Sequence, residues 1–97
     1  MTLPATVTDP DGRRVELTEE RWAHIVEPER HPEMADHLAD VLRTIEKPDN
    51  QFPGNEADEV WFLVENVGPS RWLQVVVIFE ADRALVVTAF ARRRLPS

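Results

Sequence analysis

The apolar positions of this chain change period twice, and the changes divide it into elements. Thr6-Val7-Thr8 and Arg14-Val15-Glu16-Leu17 alternate in the manner of short strands. Between them Asp9-Pro10-Asp11-Gly12 combines a proline that presets a turn dihedral with a glycine that accepts positive φ, so a β-hairpin is predicted. Thr18 then stands where a helix N-cap belongs, with Glu19 and Glu20 in the first turn to suit the helix dipole. The helix it starts places Trp22, Ile25 and Val26 on one face and His24 away from that face. Pro28 stops it. His31-Pro32 opens a second helix with proline at its first position, and Met34, Ala35, Leu38, Val41, Leu42 and Ile45 mark one apolar stripe along it.

Lys47-Pro48-Asp49-Asn50 and Pro53-Gly54-Asn55 are breaker clusters, and they predict a polar loop to about Asp58. Three strands follow: Glu59 to Val67, Trp72 to Glu80 and Ala84 to Phe90, with connections short enough to make them antiparallel neighbours. Leu73 to Phe79 is apolar on nearly both faces and is expected to be central. The expected architecture is α+β: a small single domain over 1–97 with its core at about 6–91. It has an N-terminal β-hairpin and two helices packed on a curved antiparallel sheet of three to four strands.

Composition narrows the chemistry. In 97 residues there is room for one core, and 42% apolar with 30% charged residues is ordinary for a globular chain. No run reaches the roughly 18 apolar residues of a membrane span. The start, Met1-Thr2-Leu3-Pro4-Ala5, lacks the basic and apolar regions of a signal peptide, so a cytoplasmic location is expected. Without cysteine, neither a disulfide, a thiolate metal site nor a cysteine nucleophile is available. His24, His31, His37, Glu27 and Glu33 match no compact ligand motif such as His-Glu-x-x-His; no metal and no cofactor are expected. Ser70 and Ser97 lack the context of a nucleophile elbow.

The net charge of −7 is unevenly spread. Residues 1–60 hold fifteen Asp/Glu against six Lys/Arg, whereas residues 61–97 hold three against five. A polyanion is therefore expected to bind only at a local patch, supplied by Arg92-Arg93-Arg94 with Arg71 and Arg83 as further candidates. Two histidines, whose charge changes near neutrality, and the hydroxyl of Thr88 complete a set suited to acid–base chemistry on a phosphate ester.

The order of segments carries a resemblance: Leu17-Thr18-x-x-Arg21-Trp22-x-His24-Ile25, then His31-Pro32-Glu33, then an amphipathic helix ending in Lys47-Pro48-Asp49, then three strands finishing in Val86-Val87-Thr88-Ala89-Phe90. It resembles the phage-associated barnase/EndoU/colicin/RelE-like (BECR-fold) nuclease family over most of the chain. The resemblance implies a toxin-like, metal-independent endoribonuclease with a helix packed on a four-stranded antiparallel sheet. The matching positions are His24, His31 and Thr88. On this reading His24 and His31 share the base and acid roles in RNA transesterification, Thr88 hydrogen-bonds a non-bridging oxygen, and Arg71 or Arg92 balances the developing charge. Related nucleases often carry a catalytic lysine in the sheet, whereas Lys47 lies in the helix-end loop. The same scaffold thus also accommodates a catalytically inactive module that binds a protein partner, an antitoxin or immunity-like factor, through its acidic face.

Each candidate has a structural counterpart. His31 before Pro32 serves equally as a helix cap, His24 as a surface residue, and Thr88 as an ordinary β-branched strand residue. His37, three residues from Asp40, reads as surface and is set aside. Trp22, Trp61 and Trp72 are assigned to the core.

Overall fold

In the computed structural model, which describes residues 2–96, the chain opens with β1 (Ala5–Thr8) and β2 (Arg14–Leu17), paired antiparallel with Val7 opposite Val15. Gly12 takes φ +83°, which closes the turn. The Asp9 carboxylate, only 4% exposed as a residue, organises the same turn. Its Oδ1 accepts the backbone N–H of Asp11 at 3.1 Å and of Arg13 at 2.8 Å, and its Oδ2 accepts Arg13 Nε at 2.9 Å. Asp9→Ala is expected to strand those three donors and destabilise the fold by about 1–3 kcal/mol. Asp9→Asn, which keeps one acceptor oxygen, should cost less; urea unfolding midpoints of the two variants check the difference.

Thr18 caps α1 (Glu19–Ile25), its Oγ1 accepting the Arg21 N–H at 3.0 Å. Ile25 is buried, and Trp22 packs partly buried against the same core. The helix expected from His31 onward is instead two pieces. Pro32–Met34 form a short 3₁₀ turn, and α2 runs Leu38–Glu46 after a break at which His37 N–H donates to Met34 C=O at 2.8 Å. The break has a packing reason. Met34 is fully buried in the core while its turn lies beside the last strand, whereas Val41, Leu42 and Ile45 of α2 pack over the other strands. Ala35, assigned to the stripe by its spacing, is exposed.

Four strands follow: β3 (Asn50–Pro53), β4 (Glu59–Glu65), β5 (Trp72–Phe79) and β6 (Ala84–Arg92). The predicted polar loop therefore contains a strand. The sheet order is β1-β2-β6-β5-β4-β3, with β2 and β6 parallel and every other pair antiparallel. This overturns the expected antiparallel sheet of three to four strands: the sheet is six-stranded and mixed. Two events enlarge it. Asn50–Pro53 pairs with the free edge of β4, and the N-terminal hairpin joins the opposite side through a single register pair, Glu16 opposite Leu85.

Side chains alternate between the sheet's two faces. Phe62, Leu73, Val75, Val77, Val86 and Ala89 face the helices and form one buried cluster with Val15, Leu17, Ile25 and the α2 stripe. The other face carries Leu63, Trp72, Gln74 and Val76, which are buried without belonging to that cluster. No helix among the described residues is long and apolar enough to cross a membrane.

Candidate functional site

The helix-free face can be laid out by register. One row reads Asn50, Leu63, Gln74 and Phe90 across β3 to β6; the next reads Phe52, Trp61, Val76 and Thr88. Toward the C-terminal end of β6, Arg92 stands opposite Trp72, which in turn faces Glu65. A bulge in β6 between its pairings with Val76 and Val77 lets Thr88, Phe90 and Arg92 share this face while Val86 keeps to the helix side. Arg92, expected just after the last strand, is the last residue within it.

His31 comes to this strand from outside the sheet. Its backbone N–H donates to Ile25 C=O at 3.0 Å, which fixes the chain leaving α1, and its ring stacks on Phe90 with centroids 5.3 Å apart and planes at 27°. As N-cap of the 3₁₀ turn it makes no side-chain capping bond, so the imidazole is not committed to the helix end. Its Nδ1 lies 3.5 Å from Glu33 Oε2, an arrangement that orients the ring and leaves Nε2 for other partners. Thr88 lies two residues before Phe90 on the same face of β6, so the strand that receives the His31 ring at Phe90 also carries the Thr88 hydroxyl.

The two arginines differ. Arg71, in the β4–β5 turn, gives Nε and Nη2 to Glu65 Oε2 at 3.0 and 2.7 Å, so its charge is matched by a carboxylate. Arg92 donates Nη1 to the amide oxygen of Gln74 at 2.6 Å. That partner is neutral; it fixes the guanidinium and leaves its charge uncompensated. Gln74 is 2% exposed and was not singled out by its sequence, where a glutamine within an apolar run carries no distinctive spacing.

His24 lies on the outward side of α1, with Nδ1 3.3 Å from Glu27 Oε1. It borders an open cavity of about 330 Å³ with Glu20, Arg21, Ala23 and Glu27; neither His31 nor Thr88 lines that cavity. An adjoining cavity of about 360 Å³, where β2 and α1 part from β6, shares Glu20 and Arg21 and adds Glu16, Glu80 and Arg83. His37 is the N-cap of α2 and is tied to Asp40 Oδ2 at 2.9 Å. Among the described residues, no three His, Asp or Glu side chains converge as a ligand set.

The tryptophans do not share one environment. Trp22 packs against the helix-side core and Trp72 is buried on the other face, while Trp61, expected in the core, is half-buried on the helix-free face outside the core cluster. Placing it required the pairing register, which decides the face each strand residue takes. In comparisons with known proteins the chain matches no family model, no curated protein and no solved structure.

Proposed function

We propose that the protein is a metal-independent endoribonuclease, acting on RNA in the cytoplasm, with its reactive groups along β6. The observation that carries this reading is the stack of His31 on Phe90, which brings a titratable ring to the strand that also bears Thr88 and Arg92. His31 Nε2 takes the 2′-hydroxyl proton as O2′ attacks phosphorus. The bond from phosphorus to O5′ breaks, and the leaving oxygen takes a proton from solvent. The Thr88 hydroxyl donates to a non-bridging oxygen, and Arg92, held by Gln74, offsets the charge that builds on the phosphate. His24, on its own cavity with Glu27, is assigned no step.

The test is cleavage of single-stranded RNA by the wild type with EDTA present and no added metal. Cleavage leaving 2′,3′-cyclic phosphate ends is the expected result. Intact RNA after long incubation at high enzyme concentration would sink the reading.

One observation favours a second reading, a non-catalytic module that binds a basic protein partner such as a cognate antitoxin or immunity-like factor. Glu16, Glu20, Glu27 and Glu80 line the two adjoining cavities beside α1 against only two arginines, one of which, Arg83, already faces Glu16 at 3.5 Å. The same cleavage assay separates the readings.

A further inference from the structure

The helix-free face extends well past the groups assigned to the reaction, and its half-buried Phe52 and Trp61 lie outside the core cluster. We propose that Trp61 and Phe52 form a stacking platform for unpaired nucleotides, so that the RNA taken by this site is single-stranded and continues from the scissile phosphate across β5 and β4 to the edge strand β3. This inference rests on the nuclease reading for the position of the scissile phosphate.

Register provides the geometry. Thr88, Val76, Trp61 and Phe52 form one row across four strands. With neighbouring strands about 4.8 Å apart, Trp61 stands about 10 Å and Phe52 about 14 Å from Thr88 along that row. Two nucleotides of an extended strand bridge such a distance, whereas Val76 between them presents no ring.

The Trp61 ring is held in place from its edge. Its Nε1 donates to Glu59 Oε2 at 2.6 Å, and that carboxylate also accepts the Asn55 N–H at 3.2 Å. Gly54 makes this possible, because a Cβ there would run into the Glu59 side chain. With the indole N–H satisfied and the ring fixed, stacking a base on its face costs little further side-chain entropy. Aromatic faces stack any base but reach it only where it is unpaired, which sets single strands apart from duplexes.

One end of this face suits a phosphate backbone despite the acidic chain. Glu65 is matched by Arg71, whereas Glu59, held by the neutral N–H groups of Trp61 and Asn55, keeps its charge at the opposite end of β4. Arg92 keeps its charge, and the chain leaves β6 through Arg93 and Arg94, both exposed and, among the described residues, in no ion pair. The platform is thus continuous with a cationic end where the polyanion enters.

The experiment titrates the full chain with fluorescently labelled octathymidylate, a 2′-deoxy strand that lacks the attacking hydroxyl and cannot be cleaved by this route. Expected is saturable binding that weakens roughly 5- to 150-fold in Trp61→Ala, the loss of one base–aromatic stack, and is largely restored in Trp61→Phe. A self-complementary DNA hairpin should compete poorly. Circular dichroism of both variants controls for folding, and the phenylalanine variant keeps the test informative if the alanine variant does not fold. Absence of binding, equal affinity in Trp61→Ala, or equal competition by the hairpin overturns the platform. RNA cleavage with Trp61-independent binding would overturn the platform and leave the nuclease standing. Trp61-dependent binding without any cleavage would do the reverse.

Discussion

Replacing His31 by alanine is expected to lower RNA cleavage about 10²- to 10⁴-fold, the range that a positioned general base contributes. The loss should fall on kcat, because the imidazole acts on the 2′-hydroxyl only as the proton leaves it. Alanine also removes the ring stacked on Phe90, so the informative partner is His31→Phe, which keeps a stack and has no nitrogen. Both variants should be equally inactive while His31→Phe retains the unfolding midpoint of the wild type within about 1 kcal/mol, the scale of one aromatic contact. His24→Ala should stay within about tenfold of the wild type, since a residue outside the reaction forfeits none of the factor a general acid or base supplies. Single-turnover rates on one RNA, measured with EDTA, decide the matter. Wild-type rates in His31→Phe would remove His31 from the chemistry, and a collapse in His24→Ala would return the second proton transfer to His24.

The parts of this molecule that a reader of the sequence could place are those fixed by neighbours along the chain. The hairpin follows from Pro10 and Gly12, the start of α1 from Thr18, and β4 to β6 from apolar runs between short turns. What escaped depends on partners far away. Asn50-Gln51-Phe52-Pro53 lies between clusters of residues that break or end structure, and it becomes a strand because the edge of β4 offers unpaired backbone groups. The parallel contact of β2 with β6 rests on Glu16 and Leu85, whose local patterns say nothing of each other. Pro32 correctly marks a helical start, but burial of Met34 beside β6 competes with the continuous helix that spacing alone favours.

The candidate site divides in the same way. His31, Thr88 and Arg92 are visible as residue types suited to phosphate chemistry. The features that relate them are not: Phe90 as the ring that receives His31, Gln74 as the acceptor that fixes Arg92, and the β6 bulge that sets which side chains share a face. Each is a contact between segments separated by tens of residues, and Phe90 and Gln74 are of types that composition assigns to ordinary packing.

Phe62→Ala should be the most damaging single truncation in the core, at about 3–5 kcal/mol. The ring is fully buried on the helix face of β4, in the cluster that joins α2 to the sheet, and its centroid lies 6.4 Å from that of Phe79 at a tilt of 50°. A chain of this size has only about 5–15 kcal/mol of stability in all, so the variant should lose a large fraction of it. In thermal unfolding this means a fall in Tm of at least about 12 °C. Leu63→Ala, one residue along the same strand, provides the contrast. Leu63 is equally buried but belongs to the helix-free face, outside the cluster that ties α2 to the sheet. Its loss should lie near the lower end of about 2–5 kcal/mol expected of a buried leucine. If Leu63→Ala proved as costly as Phe62→Ala, that face would be as tightly packed as the core, and a single strand of RNA would have no open surface on which to lie.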